Sequence, residues 1–306
     1  MRRIFLWMSG NRWLRDHVPR LWFVRRAVRR FLPGEDATSA LNAGARFQAD
    51  GIGTIYTRIG EHLEQASEAA AVADHYLGVL GAIHERGLDG EISVKLSQLG
   101  LDLDAERAFD HARRLVARAG QLGALVWIDM EDSETTDATL DVYIRLKEEH
   151  ANVGVCLQAY LHRTAGDLQR LIPLRPAIRL VKGAYAEAPE IAFQGQREVD
   201  ANFSALAVEM LAAVQAGGEI RIALGTHDVQ LIEQIDGHAR ALGLARTAFE
   251  VQMLYGVRLD QQHRLAREGY RMIDLISYGE AWYAWYMRRL AERPANVLFA
   301  LRQIMG

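Results

Sequence analysis

Two adjacent arginines near the C-terminus, Arg288 and Arg289, are followed at helical spacing by Glu292. Successive residues on a helix are offset by roughly 100°, so both guanidinium groups can lean toward one anionic ligand. Glu292 lies four and three residues beyond them, and helical side chains meet at both spacings. Because the planar fork of arginine matches a carboxylate, the segment predicts a carboxylate clamp. A solvent-exposed ion-pair face is the alternative.

A second set of polar side chains stands at the ends of strand-like, otherwise apolar runs. If these runs are parallel strands of one barrel, their carboxyl ends meet at a single rim, where barrel active sites lie. In chain order the positions are Lys95, Asp129, Gln158, Arg179, Lys182, Thr226, His227, Asp228 and Gln252.

Each of these positions also has a purely structural explanation. Asp228 could cap the following helix, and Lys95 and Arg179 could extend from the rim into water. Polar residues recur at six strand ends, and this recurrence favours a functional site over these structural explanations. Cations, an aspartate, amides and hydroxyls together suit a phosphate-bearing cofactor beside a small amino or hydroxy acid.

The elements that would position these groups alternate from residue 52 onward. Strand candidates are residues 52–57, 91–97, 124–130, 153–160, 177–182, 219–225, 248–254 and 270–276, and amphipathic stretches cover 62–86, 105–121, 138–149, 200–216, 229–242 and 261–268. Continuous apolar strands indicate burial on both faces, as in a parallel sheet. Eight repeats over roughly 250 residues predict an α/β fold, a (β/α)8 TIM-type barrel at residues 51–306, after an N-terminal helical extension at residues 1–50.

The composition fits such an enzyme. A chain of 306 residues is usual for a single barrel, and half of the residues are hydrophobic. The net charge of −3 gives no reason to expect a nucleic-acid partner. The one cysteine, Cys156, cannot form an internal disulfide, which fits a reducing cytoplasm. Its apolar neighbours predict a buried residue rather than a nucleophile.

Motifs for other chemistries are absent from this sequence or occur in the wrong structural context. The ten histidines show no metal-ligand spacing, so no metal is predicted. Gly51 and Gly53 open like a dinucleotide fingerprint but lead into a strand rather than follow one. No Gly-x-Ser-x-Gly elbow occurs.

The first 32 residues are basic, with nine arginines against one acid, Asp16. The apolar run at residues 4–8 is too short for a bilayer, which needs about twenty residues, and no signal-peptide cleavage pattern follows it. A basic amphipathic helix could lie on an anionic membrane surface. A helix packed on the enzyme with its arginines in water is the alternative. We therefore expect a cytoplasmic protein, with peripheral contact at the inner face of the membrane as a further option.

Six segments, in order, resemble motifs of the proline dehydrogenase family of flavoenzymes. They are SVKLSQLG at 93–100, IDMEDS at 128–133, RLVKGAY at 179–185, THD at 226–228, QMLYGV at 252–257 and RRLAERP at 288–294. The resemblance runs from about residue 35 to the end of the sequence. It is similar in layout to the monofunctional bacterial members, because nothing resembles an aldehyde dehydrogenase or DNA-binding module.

The resemblance implies a noncovalent FAD in the barrel mouth. It further implies oxidation of L-proline to Δ1-pyrroline-5-carboxylate, the first step of proline catabolism, with electrons passed to a quinone. Matched by position, Asp129 and Arg179 would be catalytic, with Arg179 near the hydride-accepting flavin nitrogen. The substrate carboxylate would be held by Lys95, Arg288 and Arg289, with Glu292 fixing the arginine pair. The FAD-contacting positions would be Met130, Gln158, Lys182, Gly183, Ala184, Thr226 and His227.

Three positions depart from the family pattern. Leu275 stands where a tyrosine usually packs against the substrate ring, Ser277 where proline is common, and Trp285 where tyrosine is usual. Changing one contact in a binding pocket typically alters the preference between two substrates by ~1–3 kcal/mol. The same flavin chemistry on a hydroxylated or N-substituted proline is therefore the alternative.

Two other functions are also open from the sequence. A strand-end lysine, Lys182 or Lys95, could form a Schiff base in a lyase or aldolase. The changes at Leu275 and Trp285 could instead mark a flavin-binding protein without turnover.

Overall fold

Eight parallel strands close into a barrel in this computed structural model, and β8 pairs with β1. The structure describes residues 30–60 and 65–283, together with residues 11, 14, 17, 18, 28, 63 and 287. The strands are β1 Gly53–Arg58, β2 Gly90–Val94, β3 Val126–Ile128, β4 Val153–Gln158, β5 Ala177–Val181, β6 Arg221–Gly225, β7 Phe249–Leu254 and β8 Arg271–Tyr278. The predicted barrel fold is confirmed, with all eight strands near their predicted positions.

Helices follow the strands and cover the outside of the barrel. In the described residues they are α1 Ala37–Ala49, α2 Ala66–Glu85, α3 Ala105–Gln121, α4 Thr136–Glu149, α5 Thr164–Leu171, α6 Gln196–Gln215, α7 Val229–Ala241 and α8 Leu259–Arg267. Helix α3 has the predicted bounds. Asp104 caps its first turn by accepting from the Glu106 and Arg107 amides. Helix α5 was not predicted, because its eight residues are too few to show a clear period.

Strand β2 ends three residues earlier than its apolar pattern predicts. Strand β2 was expected to run to Ser97, but it ends at Val94, and Ser97 begins a 3-10 turn. The Ser97 amide and hydroxyl donate to the Glu131 carboxylate at 3.0 and 2.6 Å. This side-chain acceptor replaces a strand partner and turns the chain across the barrel rim.

The barrel interior is filled in layers. Ile55, Trp127, Ala223 and Ile273 form a buried apolar cluster inside it. Toward the amino ends of the strands lies a charged group that we call the floor cluster, consisting of Glu91, Arg221, Glu250 and Arg271.

The charges of the floor cluster compensate one another. Arg221 pairs with Glu91 at 2.6 Å and with Glu250 at 3.0 Å, and Arg271 reaches Glu250 at 3.3 Å. Burial raises the pKa of Glu250, and Arg221 opposes that shift. The indole of Trp127 donates to Glu91 at 2.7 Å, which joins the floor cluster to the apolar layer.

Asp274, on β8, is a buried carboxyl whose two oxygens lack a hydrogen-bond partner among the described residues. Burial raises its pKa well above the usual range, and the nearby Gln262 side chain, whose amide nitrogen donates to the Leu254 and Val257 carbonyls, opposes this shift only in part. The folded state therefore binds the Asp274 proton more tightly than the unfolded state, so stability is lost as the pH rises above the unfolded pKa. We expect Asp274→Asn to raise the free energy of unfolding at pH 7 by about 1–3 kcal/mol, because the neutral amide removes the free-energy cost of protonating the buried carboxyl at neutral pH.

Thermal unfolding of wild type and Asp274→Asn across pH 4 to 8 would check this expectation. The difference in melting temperature between the two proteins should be largest at pH 8 and should become smaller toward pH 4. Asp110→Asn is the control, because Asp110 is exposed and pairs only with Arg113 in the described structure. An Asp274→Asn protein that melts below wild type at neutral pH would contradict the prediction.

Candidate active site

The interior of the barrel mouth is built around Arg179, which is only 3% exposed. Its guanidinium pairs with Asp129, and its Nη2 also donates to Ser93 Oγ at 2.6 Å. Its Nη1 donates to Gln252 Oε1 at 3.3 Å. The Ser93 hydroxyl in turn donates to Asp129 Oδ1 at 2.9 Å. We call these four residues, which come from β2, β5, β7 and the end of β3, the arginine cluster.

Electrostatics keep Arg179 charged despite its burial. Burial works against the charged guanidinium, but Asp129, Cys156 and Glu91 together outweigh it, so the pKa of Arg179 lies above its ordinary value. The Trp127 ring lies below, with its centroid 5.1 Å from Arg179 Cζ, within the range of a cation–π contact. The alternative that Arg179 extends from the rim into water is wrong, because its side chain points into the barrel.

Two members of the arginine cluster had no role assigned from the sequence. Ser93 appeared only within a motif, and Gln252 only as a strand end. The available signal was side-chain parity, because alternate residues of a strand face the same side. Ser93 and Gln252 are polar residues at inward positions of buried strands. Their partners could not be inferred, since Ser93 and Arg179 are 86 residues apart in the chain.

Cys156 lies beside the arginine cluster and is buried, as predicted. It pairs in register with Arg179 across β4 and β5. Burial raises the pKa of its thiol, and Arg179 lowers it only in part. A protonated thiol is a poor nucleophile, which agrees with the structural role expected from the sequence.

A second charged group surrounds Lys182, just after β5. Its ammonium contacts Asp200 Oδ1 at 2.5 Å and Asp228 Oδ2 at 3.0 Å. Asp228 also caps α7 through the Leu231 amide, and its own amide donates to Thr226 Oγ1. Asp228 is thus both a helix cap, as the sequence allowed, and an ion-pair partner of Lys182.

Gly183 allows the loop after β5 to pack closely on β4. Its φ is +110°, and a Cβ there would lie 2.1 Å from the ring of Tyr160. Further along this loop, the Glu187 carboxylate accepts from the Ser133 amide at 2.8 Å and the Ser133 hydroxyl at 2.6 Å. The loops after β5 and β3 are therefore tied to each other beside the mouth, and Ala184 remains exposed between them.

The remaining predicted positions occupy the wall of the mouth. Gln158 and Met130 are buried, and Gln158 Nε2 donates to the Glu131 carbonyl at 2.7 Å. Lys95 follows β2 directly and is partly buried. The Asp129 amide, just after β3, donates to the carbonyl of Val94, the last residue of β2, at 2.9 Å. Lys95 and Asp129 therefore lie at the ends of neighbouring strands.

The predicted carboxylate clamp cannot be placed in the same way. Arg288, Arg289, Glu292 and Trp285 lie outside the described residues. Just before them, Trp282 donates to Glu35 at 3.0 Å. Trp282 and Tyr283 form a buried apolar cluster whose other members are Val28, Leu32 and Met287.

Two features are absent from the described part of the chain. There, no three metal-ligating side chains come together. No helix in the same residues has the length and apolar character that crossing a bilayer requires.

Polar and charged groups at the carboxyl ends of a closed parallel barrel, around a buried arginine–aspartate pair, define a barrel enzyme with its site at the strand ends. The family model described as proline dehydrogenase matches residues 40–302. This chain belongs to the proline dehydrogenase family, and the predicted oxidoreductase class is confirmed.

Individual relatives agree with the family match. Proline dehydrogenase 1 of Bacillus subtilis subsp. natto is 37% identical over 305 residues, covering 100% of this chain and 99% of its own length. Proline dehydrogenase of Deinococcus radiodurans is 37% identical over 281 residues, covering 90% and 89%. The predicted monofunctional bacterial type is confirmed by these full-length matches.

A solved structure shows the same fold in a longer protein. Proline utilization A of Bdellovibrio bacteriovorus, inactivated by N-propargylglycine, superimposes with a TM-score of 0.82 at 22% identity. The match covers 95% of this chain and 36% of that chain. At this identity the likeness concerns the fold alone.

Proposed function

We propose that this protein oxidises L-proline to Δ1-pyrroline-5-carboxylate with noncovalent FAD as the oxidant and a quinone as electron acceptor. The observation that carries the proposal is the ion pair between the buried Arg179 and the partly buried Asp129 at the barrel mouth. It stands in a chain whose full-length relatives are named proline dehydrogenases. Proline catabolism would then be the pathway that the enzyme begins.

The residues of the mouth fit a flavin nucleotide. The Thr226 hydroxyl accepts from the Asp228 amide, which leaves its hydrogen for an outside acceptor. An ammonium has three hydrogens to donate, and the two carboxylates on Lys182 leave room for one more acceptor. Gly183 packs so closely on Tyr160 that no Cβ would fit there. We propose Met130, Gln158, Lys182, Gly183, Ala184, Thr226 and His227 as the FAD-contacting residues.

When bound, FAD supplies the two-electron oxidant that no side chain of the protein can provide. Arg179 would present a fixed positive charge beside the ring as negative charge develops there, a preorganised electrostatic effect. Asp129 would keep the guanidinium charged and oriented. Both groups are already in position in the protein, so they need no reorganisation during the reaction.

We further propose that Lys95, Arg288 and Arg289 hold the substrate carboxylate, with Glu292 orienting the arginine pair. Two points of attachment on the carboxylate would place the carbon next to the ring nitrogen against the cofactor. Positioning of this kind can supply a large part of a rate enhancement.

The colour of the purified protein tests the proposed function directly. We expect a yellow protein whose visible absorbance bleaches when L-proline is added without oxygen. A protein that stays colourless after reconstitution with FAD would contradict the cofactor, and a coloured protein that no proline analogue bleaches would favour flavin binding without turnover.

A Schiff-base lyase is less well supported by the site. The Lys182 nitrogen is engaged by the carboxylates of Asp200 and Asp228, whereas a Schiff-base lysine needs a nitrogen that is free to attack a carbonyl. Borohydride trapping of a substrate adduct on Lys182 or Lys95 would overturn this preference.

The second candidate substrate is a hydroxylated or N-substituted proline, and the observation that favours it is Leu275. This residue is inward on β8, partly exposed, and pairs in register with Leu254 of β7. The wall that it forms is aliphatic and lacks a hydroxyl group.

We expect Leu275→Tyr to raise kcat/KM for L-proline relative to trans-4-hydroxy-L-proline and N-methylproline by about 10- to 200-fold, the usual effect of one pocket contact. Leu244→Tyr, at a partly buried position outside the barrel, serves as the control substitution. Wild-type protein that already prefers L-proline by orders of magnitude would remove this alternative.

The division into a helical extension at residues 1–50 and a catalytic barrel at residues 51–306 stays a proposal. We also propose that the basic N-terminal segment contacts the inner face of the membrane, where quinones reside. Replacement of Arg2, Arg3, Arg12 and Arg15 by glutamine should weaken cosedimentation with anionic vesicles. Unchanged cosedimentation would discard the membrane contact.

A further inference from the structure

Gln252 links the floor cluster to the arginine cluster through the centre of the barrel. It lies on β7 and is 3% exposed. Its Nε2 donates to Glu250 Oε1 at 2.7 Å, and its Oε1 accepts from Arg179 Nη1 at 3.3 Å. Glu250 and Gln252 are two residues apart on one strand, so both side chains face the interior.

The chemistry of its neighbours allows only one orientation of the Gln252 amide. An ionised carboxylate only accepts hydrogen bonds, and a guanidinium only donates them. The nitrogen of Gln252 must therefore face Glu250 and the oxygen must face Arg179. A flipped amide would present a donor to a donor and an acceptor to an acceptor.

Glu250 is itself held firmly. Arg221 donates to both of its oxygens, at 3.0 and 3.1 Å, and Arg271 lies 3.3 Å from one of them. The carboxylate is 2% exposed, so water does not compete for these bonds. Two arginines, Arg221 on β6 and Arg271 on β8, thus hold Glu250 at the end of this series of contacts that is farthest from Arg179.

Arg179 needs a contact of this kind, because its two strongest partners bind the same atom. Asp129 and Ser93 both contact Nη2, and a group held at one atom can still pivot about it. Gln252 binds Nη1 and supplies a second fixed point. The Cys156 thiol also contacts the guanidinium, but a thiol is a weak acceptor.

We propose that Gln252 is a positioning residue that, anchored by Glu250, sets the plane in which Arg179 presents its positive charge to the flavin. This inference rests on the proposed function for its catalytic meaning. The direction of a fixed charge determines how well it stabilises charge developing on a bound ring. Glu250 would then contribute to catalysis through Gln252, without touching substrate or cofactor.

The test compares Gln252→Met and Glu250→Gln with Glu91→Gln. Methionine keeps the length of Gln252 but removes both hydrogen bonds. Glu250→Gln replaces a carboxylate that can only accept with an amide that can also donate, so the orientation of the Gln252 amide is no longer forced. Glu91→Gln is the matched control, because it removes the other carboxylate on Arg221 but lies outside the contacts of Gln252.

We expect kcat for L-proline to fall about 10- to 100-fold in Gln252→Met, in line with small displacements of a catalytic group, with KM unchanged. Glu250→Gln should show a smaller loss of the same kind. Both variants should shift the flavin midpoint potential to more negative values, and Glu91→Gln should change both quantities less than Glu250→Gln does.

A second readout does not depend on the flavin. The rotation of the Arg179 guanidinium, followed by nitrogen-15 NMR, should be slow in wild type and Glu91→Gln and faster in both other variants. Wild-type rotation in Gln252→Met would overturn the inference, and so would equal effects of Glu91→Gln and Glu250→Gln on kcat. A wild-type protein that binds no flavin but shows the expected rotation rates would instead count against the proposed function alone.

Discussion

Replacing Arg179 by methionine is expected to lower the rate of flavin reduction by L-proline about 10²- to 10³-fold, as for loss of one preorganised electrostatic donor. The guanidinium is the buried cation of the described barrel mouth that pairs with Asp129. Methionine has a similar length and can fill the space above Trp127 without a charge. Anaerobic stopped-flow measurement of the flavin absorbance would give the rate directly.

The matched control for this experiment is Arg175→Met. Arg175 precedes the same strand, but its side chain is 72% exposed and pairs with an equally exposed Glu219. Its replacement should leave the rate of flavin reduction unchanged. If Arg179→Met also reduced its flavin at the wild-type rate, Arg179 would have no part in the reaction.

Replacing Asp129 by alanine should have the larger effect on stability, a loss of about 3–5 kcal/mol, which is typical when one partner of a buried ion pair is removed. The reason is that Arg179 would remain inside the barrel without its counter-charge. Ser93 and Gln252 would still accept from it, but neither carries a negative charge. Urea unfolding followed by circular dichroism would measure the change.

Two further variants test whether the loss of stability comes from the ion pair between Asp129 and Arg179. Asp74→Ala removes an acid that is 65% exposed and paired with an exposed Arg114, and it should cost less than about 1 kcal/mol. The double variant Asp129→Ala with Arg179→Met should regain part of the loss, because the uncompensated charge has gone. Equal losses for Asp129→Ala and Asp74→Ala would show that the buried pair does not stabilise the barrel.

The order of elements was predictable because a parallel barrel buries both faces of every strand. Strand β4 is buried along its whole length, and its run of apolar residues is visible in the sequence. Helix α3 could be bounded because Asp104 and a regular apolar face mark it. Helix α5 and the early end of β2 could not be predicted, since one is too short to show a period and the other depends on Glu131, 34 residues from Ser97.

For the site, the sequence by itself determined which side chains can enter the barrel mouth, because side chains alternate along each strand and the polar residues stand out against apolar neighbours. Only the tertiary structure decided which of them meet. Arg179 reaches Gln252 across 73 residues of chain, and this contact exists because the sheet closes with one register. Closure and register depend on the packing of all eight strands together, so no local segment encodes them, and the buried contacts of Arg179 follow from that packing.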